Sequence, residues 1–208
     1  MGRFDHWTAR YVLDRSRNIL SNLAHRDWPW LTPAAVEMLK QRLRPRDSVF
    51  EWGAGRSTLW LARRVRLVTS IEHDLLWFDR VQAQARRHRL TNVSLKLIPE
   101  SGRPPGTAPY VSPIYQYAAF DLILVDGLHR PHCALAALTR IKPGGMIVVD
   151  NANWYLPSSS RSPASRTPDQ GPASQEWAAF ERQVAGWRLC WTDNGVTDTA
   201  IWFAPSRV

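Results

Sequence analysis

Five carboxylates fall at or just past the ends of short apolar runs: Glu51, Glu72, Glu100, Asp126 and Asp150. Runs of that length and composition suit strands, so the five acids would line one edge of a sheet. Crowded carboxylates raise one another's pKa unless cations, hydrogen-bond donors or a metal offset them. Such an edge reads as a binding site rather than a solvated surface. Between the first two acids runs Trp52-Gly53-Ala54-Gly55-Arg56-Ser57-Thr58. Gly53 and Gly55 suit a tight turn with dihedrals closed to other residues. Ser57 and Thr58 suit a helix start, whose free N–H groups would face a carboxylate or phosphate. Glu72 lies 17 positions after Gly55, where an acid accepts hydrogen bonds from ribose hydroxyls. His73 follows Glu72, Ser101 follows Glu100 and Asn151 follows Asp150, while His129 and His132 stand just beyond Asp126. An imidazole titrates near neutrality and can serve as a general base.

The elements that must position these residues follow from periodicity. Residues 4–25 carry apolar positions at helical spacing, and Asp27-Trp28-Pro29-Trp30 is a rigid turn. Thr32 and Pro33 then start a second helix that Pro45 ends. Strands are expected at 47–51, 67–71, 93–98, 120–125 and 146–149, with helices at 57–65, 75–89 and 130–141 between them. Residues 99–119 form a long loop, and Lys142-Pro143-Gly144-Gly145 reads as a turn. Residues 156–175, rich in Pro and Ser, read as a loop or a lid over the site. A helix at 175–186 precedes two strands, 187–191 and 199–203, joined by the hairpin signal Asp193-Asn194-Gly195. The expected fold is α/β: a doubly wound, mostly parallel seven-stranded sheet with a C-terminal antiparallel hairpin and an N-terminal helical extension. One domain is expected, divided into the extension (1–46), a cofactor-binding core (47–155), the lid (156–175) and the closing helix and hairpin (176–208).

Composition bounds the function. Lys+Arg less Asp+Glu is 27 − 18 = +9. The basic residues are spread along the chain, with the densest run at Arg86-Arg87-His88-Arg89. Dispersed charge argues against a nucleic-acid partner; a basic face clustered beside the cofactor cleft would argue for one. Cys133 and Cys190 show no metal spacing and read as buried free thiols, which suits a cytoplasmic protein. The polar start does not resemble a signal peptide, and no run approaches a membrane span.

A dinucleotide fingerprint would place a third glycine where this chain has Thr58. The pattern Glu51-x-Gly53-x-Gly55, with the Glu72 segment, the strand ending in Asp126-Gly127 and the Lys142–Asn151 segment, resembles class I (Rossmann-like) S-adenosylmethionine-dependent methyltransferases. That resemblance implies S-adenosyl-L-methionine as cofactor. It implies Glu51, Gly53, Gly55, Ser57 and Thr58 around the methionine moiety, Glu72 and His73 at the ribose, Glu100 and Ser101 bordering the adenine, and Asp126 within reach of the cofactor.

A narrower resemblance is to catechol- and caffeoyl-type O-methyltransferases. It implies that Asp126, Asp150 and Asn151 ligate Mg²⁺, with His129 at the family's general-base position, where a Lys is usual. His132 is an alternative base. The expected activity is methyl transfer to a hydroxyl oxygen of a small molecule, with a homodimer through the N-terminal helices as a further expectation. A nicotinamide-dependent oxidoreductase and a nucleic-acid methyltransferase or binding module are the alternatives.

Overall fold

The structure is a computed structural model, and it describes residues 7–104 and 109–206. Strands β1 (Ser48–Trp52), β2 (Leu67–Glu72), β3 (Val93–Leu97), β4 (Phe120–Val125), β5 (Ile141–Asp150), β6 (Arg188–Asp193) and β7 (Asp198–Phe203) form one sheet in the order β3-β2-β1-β4-β5-β7-β6. The first five are parallel, and β7 returns antiparallel between β5 and β6. The helices are α1 (Ala9–Ala24), α2 (Pro33–Arg42), α3 (Arg56–Ala62), α4 (Leu75–Arg87), α5 (Arg130–Leu138) and α6 (Gln175–Val184). The sheet order reverses between β1 and β4, so a crevice opens beyond their carboxyl ends.

Side chains alternate across the sheet and build a core on each face. Phe50, Trp52, Ile123, Val125, Ile147 and Val149 pack towards α5 and α6, against Cys133, Ala137, Trp177 and Phe180. Val49, Leu122, Leu124, Val148 and Ile201 pack towards α2 and α3, against Val36, Leu39, Trp60 and Leu61. Glu51 lies one residue from Phe50 and Trp52, so its carboxylate points to the α3 face.

Four expectations are revised. Lys142–Gly145 is not a turn: it lies inside β5, where the register slips between Phe120 and Leu122 to absorb the extra residues, Gly144 taking a φ of +74°. The helix expected to 141 ends at Leu138. The 99–119 loop is core in its second half. Tyr110, Val111 and Ile114 are buried there, and Trp52 Nε1 donates to the Tyr110 carbonyl at 3.0 Å.

Fourthly, the 156–175 lid is folded back on itself and anchored. Ser158 N donates to the Arg166 carbonyl, Arg166 N to Asn153, Ala173 N to Tyr155, and Ser160 Oγ to Asp198 at 2.9 Å. That is the self-packed form of a compact surface loop. In the extension, residues 4–6 of the first expected helix lie outside the described residues. Thr8 caps α1, its Oγ1 accepting from Tyr11 N. Val12, Leu13, Ile19, Leu20 and Leu23 remain exposed on α1. Cys133 is a buried free thiol, whereas Cys190 is half-buried.

The linker between α1 and α2 is fixed at long range. Thr32 is its N-cap residue, and its hydroxyl is not used on the helix. Thr32 N donates to Thr199 Oγ1 at 3.1 Å, and the Thr32 and Thr192 hydroxyls meet at 2.5 Å. Pro29 and Leu31 are buried beside it, which leaves Trp30 projecting, 54% exposed, over the crevice.

Candidate active site

The turn after β1 is built by one glycine rather than two. Gly53 has a φ of +90°, and a Cβ there would stand 2.8 Å from the Asp126 carbonyl group. Only glycine lets the ends of β1 and β4 approach this closely. Gly55 has a φ of 179°, extended backbone open to any residue, and a Cβ there would meet nothing nearer than 3.7 Å. Helix α3 starts at Arg56, two turns long, with Gly55 as N-cap.

Thr58 does not face a ligand. It is wholly buried, accepts from Gly55 N at 2.9 Å and donates to Glu51 Oε2 at 2.5 Å. Ser70 Oγ donates to the same oxygen at 2.7 Å. Glu51 is thus a buried tie between β1, β2 and α3 and does not line the cavity, contrary to the expectation of cofactor contact. Burial pushes its carboxyl up to about 7, against the lowering by the hydroxyl donors.

A folded-state pKa above the ordinary 4.5 means that the folded chain binds this proton more tightly than the unfolded chain does. The contribution is fully present below about pH 4.5 and is lost as pH rises towards 7, a change of about 3 kcal/mol. Glu51→Gln is expected to flatten stability over that window, measured by urea denaturation across a pH series. A slope equal to that of the parent would refute the assignment.

The crevice holds a cavity of about 570 Å³ lined by Trp30, Gly53–Ser57, Glu72–Asp74, Trp77, Asp126–Leu128 and Arg130. Glu72 is 3% exposed. Its Oε2 accepts from Ala54 N at 3.0 Å, and its Oε1 accepts from His73 N and Asp74 N at 2.7 and 2.9 Å. Three amides therefore fix this carboxylate at the cavity wall, with His73 Nδ1 2.9 Å from Oε1. Glu100 and Ser101 are exposed and do not line the cavity, so the structure does not bring them to the site.

Trp77, on the first turn of α4, donates its Nε1–H to the Ala54 carbonyl at 2.5 Å and stacks on Trp30, centroids 5.9 Å apart. Neither Trp was singled out in the sequence. Trp77 is placed by Asp74, which caps α4 through Trp77 N, and that N-cap was the legible signal.

The strand-four and strand-five acids converge on Arg130, the first residue of α5. Its Nη2 donates to Asp126 Oδ1 and to the Asp126 carbonyl, at 2.8 and 3.1 Å. Its Nη1 donates to the Asp150 carbonyl and to Asn151 Oδ1, at 2.6 and 2.9 Å, and its Nε to the Gly127 carbonyl at 3.1 Å. Asn151 Nδ2 donates to Thr197 Oγ1, and Asp150 Oδ1 accepts from Thr199 Oγ1 at 2.9 Å.

Asp150 is 4% exposed, and its carboxyl has no direct cation. Burial, reinforced by the Asp126 charge, pushes it up to about 8. Asp126 is raised by burial to about 6, with Arg130 working against the shift. The three residues expected to ligate Mg²⁺ do not fit that ion as they stand, because an arginine already engages the side-chain oxygens of Asp126 and Asn151. Among the described residues no group of three His, Cys, Asp or Glu is placed to hold a metal. Arg130 was missed in the sequence, although it stands four positions after Asp126, the spacing at which helical ion pairs form.

His129 occupies the left-handed N-cap of α5, half-buried, its ring 6.2 Å from that of Tyr110; Leu128 and Arg130 on either side of it line the cavity, but His129 itself does not. His132 lies one turn on, its Nδ1 buried without a hydrogen-bond partner. Charge that is spread in the sequence gathers in space. Arg26, Arg56, Arg63 and Arg80 border a groove of about 490 Å³ that shares Trp30, Gly55, Arg56 and Trp77 with the cavity.

No helix among the described residues is long and apolar enough to cross a membrane. No curated protein matches the sequence. Several solved structures share the fold. The O-methyltransferase of Bacillus cereus in complex with S-adenosylhomocysteine aligns over 94% of this chain and 91% of its own, at 18% identity and TM-score 0.56. The O-methyltransferase TomG of Streptomyces achromogenes, in complex with S-adenosylmethionine, aligns over 98% and 100%, at 23% identity and TM-score 0.55. An rRNA methylase of Streptococcus thermophilus aligns over 82% and 93%, at 14% identity and TM-score 0.52. Residues 50–152, from β1 to just past the end of β5, match a family model described as a methyltransferase domain, and the fold around them is that of the methyltransferases above.

Proposed function

We propose that this methyltransferase acts on a hydroxyl oxygen of a small molecule. The observation that carries the proposal is His129 at the N-cap of α5, next in the chain to Leu128 and Arg130 of the cavity wall, although its own ring does not line the cavity. An oxygen nucleophile must lose its proton on attack, and an imidazole beside the cleft can take it. The hydroxyl proton would pass to His129 as the oxygen attacks, and the cofactor would supply the activated methyl group, its sulfur keeping the electron pair of the broken carbon–sulfur bond. S-adenosylhomocysteine leaves, and the imidazolium returns its proton to solvent.

The turn at Gly53–Gly55 would hold the amino-acid end of the cofactor, Glu72 and His73 the ribose, with Ser57 beside them. The residues themselves supply position and electrostatics. The divalent cation of the catechol-type resemblance is not part of this proposal. Two O-methyltransferases among the structural neighbours support the oxygen acceptor.

Calorimetry with S-adenosylmethionine and with NAD tests the cofactor, and release of S-adenosylhomocysteine with a panel of phenols and hydroxyacids tests the acceptor. His129→Ala is expected to cost about 100-fold in kcat, the range of general-base catalysis, and to remove the acid limb of the pH profile. If His132→Ala does so instead, the base is His132. If neither does, the base is elsewhere.

The Arg26–Arg80 groove favours a second reading, a nucleic-acid acceptor. Arg56 lies 5.2 Å over the Trp30 ring and Arg80 lies 4.9 Å over Trp77. A guanidinium stacked on its face keeps its in-plane N–H groups for phosphate, and an exposed Trp offers a base a stacking surface. Fluorescence anisotropy with a labelled single-stranded RNA decides this reading. It predicts salt-dependent binding that Arg26→Glu with Arg63→Glu abolishes. Absence of binding at low salt removes it.

A further inference from the structure

We propose that Arg130 is the resident cation of the site, standing where catechol-type relatives are expected to hold a divalent ion, and that it covers a latent metal site.

The geometry around Arg130 is an all-oxygen cage. A guanidinium has five N–H donors, and here all five are used. The acceptors are Asp126 Oδ1, Asn151 Oδ1 and the carbonyls of Asp126, Gly127 and Asp150, each 2.6–3.1 Å away. Oxygen donors of these kinds, carboxylate, carboxamide and backbone carbonyl, are what Mg²⁺ and Mn²⁺ prefer. Asp150 adds a second carboxylate at the same strand end, its Oδ1 turned to Thr199.

A metal and the guanidinium cannot share the cage. They would compete for Asp126 Oδ1 and Asn151 Oδ1, and two cations at that separation repel strongly where solvent is excluded. The arginine holds the position by covalent attachment. Its side chain is 14% exposed, and it leaves from the first residue of α5, with Pro131 next in the chain. An ion arriving from solvent would have to displace five hydrogen bonds together.

The test is a Mn²⁺ titration followed by electron paramagnetic resonance, with no cofactor or acceptor present, so its outcome is independent of the methyltransferase activity. The parent chain is expected to bind no Mn²⁺ at this site. Arg130→Ala and Arg130→Gln remove the guanidinium and are each expected to gain one bound Mn²⁺ per chain, lost again when Asp126→Asn is added. If a variant folds only when Mn²⁺ is supplied, as circular dichroism would show, the proposal is equally supported, because the ion then replaces the lost charge. Stoichiometric Mn²⁺ binding by the parent that Asp126→Asn or Asp150→Asn abolishes would overturn the resident-cation assignment. Variants that neither bind Mn²⁺ nor are rescued by it would overturn the latent site.

Discussion

Glu72→Ala is expected to lower affinity for S-adenosylmethionine by at least about tenfold. The carboxylate is fixed at the cavity wall by Ala54 N, His73 N and Asp74 N. The lone pair left on its Oε2 is the proposed acceptor for a ribose hydroxyl, and a hydrogen bond to a charged group contributes roughly 1.5–3 kcal/mol. One such bond at the lower figure gives about 1.5 kcal/mol, or about tenfold.

The substitution also strands three amides that shape the turn, so stability should fall alongside affinity. Glu72→Gln separates the two effects. Its carboxamide oxygen can keep part of the amide set, but it lacks the charge and presents an N–H₂ where ribose needs an acceptor. Calorimetry with the cofactor and thermal unfolding without it measure each part. A Glu72→Gln protein that folds like the parent and binds the cofactor as tightly would overturn the ribose assignment.

Gly53→Ala should be the most damaging single-methyl substitution at the site. The added Cβ would lie 2.8 Å from the Asp126 carbonyl carbon and oxygen and 2.9 Å from Gly127 N. These are backbone atoms of the neighbouring strand end, so relief requires β1 and β4 to separate. The φ of +90° adds a conformational cost of about 1–2 kcal/mol for any residue with a Cβ. With the steric clash, a total of about 3 kcal/mol or more is expected, and for a chain of this size that corresponds to a fall in Tm of roughly 10 °C.

Cofactor binding should be lost together with the fold of the turn. Gly55→Ala is the control. Its φ is extended and its nearest neighbour would be Trp77 Nε1 at 3.7 Å, so stability should stay within about 1 kcal/mol of the parent. Equal damage from the two substitutions would refute the assignment of the turn to Gly53 alone.

These contrasts show where the sequence speaks and where it is silent. The strands themselves and the acids near their ends were legible because each rests on local pattern: an apolar run, a glycine, a carboxylate. Which way a side chain faces is legible only when the strand's register is known. That is why Glu51 reads as a ligand-facing acid and yet lies under α3. Glu100 and Ser101 follow a strand that stops at Leu97, and nothing in their types fixes the loop beyond it.

Arg130 had a local signal, its spacing from Asp126, but the resemblance to metal-dependent enzymes drew attention to the oxygens rather than to the charge among them. The basic groove had no local signal at all. Arg26, Arg56 with Arg63, and Arg80 come from three separate segments, the α1–α2 linker, α3 and α4, and meet only in three dimensions.

The Thr32–Thr199 contact bears on how the protein is made. These partners are 167 positions apart, and Thr199 in turn donates to the Asp150 carboxylate. During synthesis the Trp28–Thr32 segment emerges early and waits for β7 before it can dock. The β1–β2 and β4–β5 ladders need no such wait and can pair while later residues are still being added. The Thr32 anchor beside Trp30 is therefore made only after the closing hairpin has formed. A nascent chain without β7 should carry the glycine turn but not the anchor of its tryptophan cover, which makes tight cofactor retention a late event in the life of the molecule.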